Sequence, residues 1–299
     1  MRKSYKPVAT GFLVRLMSPL GRYPTESFVS ESSALIISSD ISFSVARIEK
    51  EDWSFSEVDC LNALELPLYG SVLLSGKAGT QYLYPYPTPV SETLETDSLE
   101  KIDDQNITEC KSFLIQKCSA LKKEGYGTSY FHKPPILGGS NYEFVANAAD
   151  EDDQHKILAK LDKSNALILR AVNCLLKARM AFLHSELGEA ACIYLWIALD
   201  AAHSLVLQKL RDSGVKNPTS ADAARYFEKL SGHGTDWEQF FEDDYMNRIR
   251  AIHPDNRFGA EAIPQFLADD FLELNDLLIP FFHFFVTELS SDSQTLIHE

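Results

Sequence analysis

The stretch Leu187-Gly-Glu-Ala-Ala-Cys-Ile-Tyr-Leu-Trp-Ile-Ala-Leu-Asp-Ala-Ala-His-Ser-Leu-Val-Leu-Gln-Lys-Leu-Arg211 decides the fold. Leu187, Ala191, Tyr194, Leu195, Ala198, Ala202, Leu205 and Leu210 recur at three- and four-residue spacing, the period of a helix with one apolar side. Gly214 and Pro218 follow, residues that close one helix and open the next. Upstream, Ile157, Leu161, Ile168, Val172, Leu175 and Leu176 predict a long helix from about Gln154 to His184, broken over 185–188. Downstream, a short third helix follows Ser220 with Ala224, Phe227 and Leu230 on its apolar side. A fourth opens on a capping box, Thr235-x-x-Glu238, and stops at Pro254. A fifth runs from near Pro264 to about Leu289, with Pro280 expected to kink or split it. Five helices with short connections predict an all-α bundle over 149–299.

The preceding part, 1–148, reads as a β-rich domain with one helix, so the fold class is α+β. Candidate strands are Ala9–Met17, Ala34–Val45, Leu64–Leu74 and Gln81–Tyr86, the second alternating through Ile41, Phe43 and Val45. The run Tyr82–Pro89 reads as a rigid extended loop, with an aromatic ligand-binding rim as the alternative. Asn106–Lys123 carries the helical period, and the small, acidic Asn147–Asp153 makes the linker.

Composition limits the function classes. The 299 residues hold 43 acidic and 28 basic side chains, a net charge of −15, and the second half alone (Glu151–Glu299) holds 24 acidic against 14 basic. Such a field repels phosphate backbones, so DNA binding is not expected, although a local basic patch remains compatible with it. Five scattered cysteines without a C-x-x-C suggest neither a disulfide framework nor a zinc site, but reduced thiols in a cytoplasmic protein. There is no long apolar leader and no run of 18 apolar residues, so no membrane span is expected. Signatures of zincins, α/β-hydrolases, P-loops and dinucleotide folds are absent, and no cofactor is implied.

One polar grouping invites chemistry, Tyr245-Met-Asn-Arg-Ile-Arg-Ala-Ile-His253-Pro254. On an unbroken helix Arg248 and His253 would stand about 140° apart. They converge if the helix unwinds before Pro254, or if two chains share the site. Arg250 lies three before His253, on nearly the same side. An imidazole titrates near neutral pH and can move a proton, while a guanidinium grips phosphate and stabilises charge growing on it. With a ribose 2′-hydroxyl as nucleophile such a pair would cleave RNA without metal. Asn247 adds a neutral contact to phosphate or base. The plain alternative is an ion pair of Arg248 with Asp244, four residues earlier, and a dipole-satisfying His253. Arg179-x4-His184 matches the same spacing and is read as structural.

Three segments in order, Ile193–His203, Tyr245-x-x-Arg248-x4-His253-Pro254 and Ala268-Asp-Asp-Phe-Leu-Glu-Leu-Asn-Asp-Leu-Leu278, resemble the HEPN superfamily of helical bundles. A β-rich region ahead of the bundle is similar to its Apea-like group. That resemblance implies a metal-independent endoribonuclease of a defence or toxin–antitoxin system, working as a homodimer on RNA and open to a regulatory protein partner. Arg248 would then bind phosphate and His253 would act as acid/base, with Asn247, Arg250 and Asp200 at the substrate. Asp200 orients that site or, equally, serves a helix pair. Many active members place Asn, Asp or His after the arginine, where this chain has Ile249. The resemblance also admits a non-catalytic interaction or ligand-binding protein built on a dimerising bundle, or a sensor in which the β-rich part restrains the bundle.

Overall fold

The computed structural model describes residues 10–18, 26–30, 33–37, 41–49, 65–75, 86–96, 102–123, 151–161, 166–182, 185–231 and 268–288. The fold is mixed, a strand-rich part followed by helices. The chain divides into two compact units, one of 1–72, 80–134 and 139–155, the other of 73–79, 135–138 and 156–299.

The first unit holds a five-stranded antiparallel sheet: β1 (Thr10–Ser18), β2 (Glu26–Val29), β3 (Ser33–Ile37), β4 (Ser42–Glu49) and β5 (Tyr86–Thr96), in the order β2-β3-β4-β1-β5. The expected strand Ala34–Val45 is in fact two, β3 and β4, paired antiparallel. Residues 38–40, between the two strands, lie outside the described ones. Of the Tyr-Pro run, Tyr86–Pro89 belongs to edge strand β5, where missing proline donors are tolerated. The register against β1 shifts there, Arg15 facing Ser91 but Met17 facing Pro87.

Period-two alternation gives the sheet two different faces. Phe12 and Val14 of β1, Phe43 and Val45 of β4 and Ala34 of β3 form one apolar layer with Ile102, Cys110 and Leu114. Cys110 and Leu114 belong to α2 (Asp104–Lys123), whose first turn is fixed by reciprocal side-chain bonds between Asp103 and Asn106. Burial and the neighbouring Glu109 carboxylate push the Cys110 thiol up to about 12, so it stays protonated and unreactive.

The opposite face carries Arg15 beside Ser44, and α1 (Leu66–Leu74) lies against it. This helix overturns the expected strand Leu64–Leu74. Its run is apolar on every side, and Leu68, Tyr69, Leu73 and Leu74 are all fully buried, so the sequence offered no period to separate strand from helix. Pro67 falls in the first turn, where its missing N–H costs nothing. Glu65, just before α1, accepts from Arg15 Nε and Nη2, each at 2.7 Å. One helical turn on, the Tyr69 hydroxyl meets Ser44 Oγ at 2.6 Å. Arg15 is 4% exposed and Glu65 1%, so the pair is desolvated and held by a two-pronged geometry.

In the second half the expected helix from Gln154 to His184 is two, α3 (Glu151–Leu161) and α4 (Ala166–Phe182), and residues 162–165 lie outside the described ones. Acidic residues 151–153, expected in the linker, open α3, where negative charge suits the helix dipole. After a 3-10 turn, Ser185–Leu187, comes α5 (Gly188–Asp212), then α6 (Ser220–Ser231) and α7 (Ala268–Glu288). The expected fourth helix, Thr235–Pro254, lies outside the described residues. Gly214 ends α5 at a φ of +94°, a left-handed conformation that favours glycine, while Ser213 and Val215 donate back to Lys209 and Leu210. Pro280 does not split α7, which is helical on both sides of it. α5 packs against α4, α6 and α7. Phe227 of α6 stacks on Phe281 of α7 at 4.5 Å, and Phe182 of α4 on Phe271 at 4.0 Å.

Removing one partner of a buried ion pair strands the other charge in hydrocarbon, which costs about 3–5 kcal/mol. Arg15→Met is therefore expected to lower the unfolding free energy by about that amount, and Arg15→Met with Glu65→Leu by far less. Urea titration of both variants checks this; a single variant as stable as the parent would show that the carboxylate is not buried in solution.

Candidate functional site

Of the five residues singled out in the sequence, Asn247, Arg248, Arg250 and His253 lie outside the described residues. The fifth, Asp200, is placed by α5. Around that helix Ala191, Leu195, Ala198, Ala202, Leu205 and Val206 are buried against neighbouring helices. The side left over carries Glu189, Ile193, Ile197, Asp200, Ser204, Gln208 and Arg211 at three- to four-residue spacing. Asp200 is exposed there, as are Glu189, Ser204 and Arg211, while Ile193 and Ile197 are half-buried.

His203 stands one turn after Asp200, about 60° round the helix, at the border between the packed and open sides. It is half-buried, and that burial holds its pKa below the ordinary histidine value. The imidazole is thus neutral around pH 7, the form that accepts a proton or a hydrogen bond. The sequence reading quoted His203 within the Ile193–His203 segment without giving it a role. Its place at the edge of the apolar stripe was the available signal, because a histidine there is half-desolvated whatever its partners.

Arg179, whose spacing to His184 repeats the Arg248/His253 spacing, is half-buried on α4, and His184 lies outside the described residues. Among the described residues no three His, Cys, Asp or Glu side chains converge to hold a metal ion. Cys110, Cys174 and Cys192 are buried and not disulfide-bonded, and Cys118 is half-buried. α5 is the one described helix long and apolar enough to cross a membrane, and 56% of that apolar window is buried within the fold, the pattern of a core helix.

No protein-family model, curated protein or solved structure matches this chain.

A histidine whose folded pKa is depressed binds fewer protons folded than unfolded, so stability falls as pH drops through the unfolded value of about 6.5. His203→Gln is expected to flatten the loss of thermal stability between pH 7.5 and 5.5. The check is the difference in melting midpoint between parent and variant across that range; parallel curves would mean that His203 is not desolvated.

Proposed function

We propose that the chain is a metal-independent endoribonuclease of the HEPN type, acting in the cytoplasm as a homodimer in a defence or toxin–antitoxin setting. Arg248 grips the scissile phosphate and stabilises its developing charge. His253 takes the proton from the 2′-hydroxyl and returns one to the leaving oxygen. Asn247 and Arg250 hold flanking phosphate or base, and Asp200 faces the same site from α5. The observation that carries this reading is the Arg248-x4-His253-Pro254 grouping, set between two helices, α5 and α7, that carry the other two segments of the resemblance. The exposure of Asp200 on the open side of α5 supports it, since a carboxylate sealed in the bundle could orient nothing.

A second reading keeps the bundle and drops the chemistry: a dimerising interaction or ligand-binding protein. The acidic balance and Ile249, where many active HEPN members carry Asn, Asp or His, favour it.

The two separate cleanly. Purified protein is expected to cleave single-stranded RNA in the presence of EDTA. His253→Ala and Arg248→Ala are each expected to slow cleavage by about 10²-fold or more, the usual size of a lost acid/base or charge-stabilising group. Gel analysis of a labelled oligonucleotide decides, and equal rates for parent and His253→Ala would rule the nuclease reading out in favour of the binding one.

A further inference from the structure

The two outer strands of the sheet differ in what they offer. β5 carries Pro87 and Pro89, which have no donor, and its register shifts beside them. β2, at the other edge, contains no proline and pairs with β3 alone among the described strands.

The turn that joins β2 to β3 settles which groups of β2 point outward. Ser30 N–H donates to the Ser33 carbonyl at 2.8 Å, and Ser33 N–H donates to Ser30 Oγ at 3.0 Å. Ser30 and Ser33 therefore lie in the bonded phase of the ladder, and that phase alternates along an antiparallel pair. Counting back through the register, Phe28 opposite Leu35 and Glu26 opposite Ile37 bond toward β3. Ser27, opposite Ile36, and Val29, opposite Ala34, turn their N–H and C=O groups the other way. On that side neither makes a backbone hydrogen bond among the described residues.

This edge is held in place. The Phe28 side chain is buried, with the His155 ring of α3 centred 4.3 Å from its own, and Ser30 Oγ ties the turn. A strand already fixed loses little freedom when it pairs. On the other face of the sheet, Val29 and Ile36 pack at the margin of the apolar layer and are only half-buried. The apolar layer thus runs out to the β2 edge.

We infer that β2 is the seat of a second copy of this chain, paired antiparallel across a two-fold axis at Phe28. In that register Ser27 faces Val29 of the second copy and Val29 faces its Ser27, each pair exchanging both backbone bonds. Outward groups placed symmetrically about Phe28 are self-complementary, as a two-fold contact requires. The two Val29 residues fall diagonally across the axis on the α2 side, within reach of apolar contact. Glu26 comes opposite Ser30, so like charges do not face each other. The pairing consumes both β2 edges and leaves only the proline-bearing ones, so the assembly closes at two chains. It gives the homodimer of the nuclease reading a contact in the first unit and does not depend on RNA cleavage.

Ser27→Pro tests this, because it removes an outward donor and no bond to β3, a position where edge strands accept proline. Sedimentation velocity over a dilution series is expected to show a dimeric parent. The variant's dissociation constant should be roughly ten-fold higher or more, since the axis counts each lost bond twice. The far-UV circular dichroism spectrum is the folding control. If the proline variant fails it, Ser27→Lys decides: it keeps the amide, sets two ammonium groups diagonally across the axis, and should weaken the dimer likewise. Hydrogen exchange should show the Ser27 and Val29 amides protected in the dimer and exposed on dilution, while Phe28, bonded to β3, stays protected at both concentrations. A folded variant that dimerises as tightly as the parent overturns the β2 contact and leaves the homodimer to another surface. A parent that stays monomeric, or that assembles beyond two chains, overturns it too. Cleavage of RNA by the parent is scored separately, so failure of this contact and failure of the nuclease reading are told apart.

Discussion

Ala191, Ala198 and Ala202 are fully buried on α5, a helix that packs against three others, α4, α6 and α7. Helix axes approach to about 8–10 Å, and the closer end of that range needs small side chains at the contact. With α4, α6 and α7 all packed on one cylinder, α5 has little room for bulk on its inner side. Larger residues, Leu195, Trp196, Leu199 and Leu205, are buried on the same helix. This crowding has a functional corollary. Only one side of α5 remains to carry polar groups, and Asp200 sits in the middle of it. Any chemistry that α5 contributes must therefore use that side.

The sheet solves a different problem. One face is sealed by hydrocarbon from α2, while the other meets a helix, α1, that brings a carboxylate and a phenol to an arginine and a serine on adjacent strands. Arg15 and Ser44 are register partners, and Glu65 and Tyr69 are one helical turn apart, so two spacings of similar length coincide. An apolar contact would tolerate sliding of α1 along the sheet. A forked ion pair plus a hydroxyl pair fixes both its position and its rotation, because any shift leaves a buried charge without its partner. The interior polarity of this face is thus a matter of specificity more than of net stability.

How much of this could be read in the sequence depended on period and range. The phase of α5 was legible almost to its ends, because alanines and leucines recur at a helical step, and α2 was legible for the same reason, while β1 was legible as a short apolar run. The nature of α1 was not, since a run buried on all sides carries no period. The Arg15–Glu65 pair was invisible because fifty residues separate its members and nothing local marks either as buried. At the candidate site the sequence left Asp200 open between orienting a site and serving a helix pair, and burial was needed to place it on the exposed side of α5; the meeting of Arg248 with His253 depends on a helix end near Pro254 that no periodicity specifies.

The prolines of β5 have a consequence for how the molecule behaves in a crowded solution. β5 is an outer strand of the described sheet, and an outer strand with free amide donors is a template onto which a strand from another chain can dock. Pro87 and Pro89 have no amide hydrogen to offer, and the register shift beside them bends the strand out of the straight line that such docking needs. The same residues that make this segment look like a loop in the sequence thus act as a guard against runaway sheet growth between molecules.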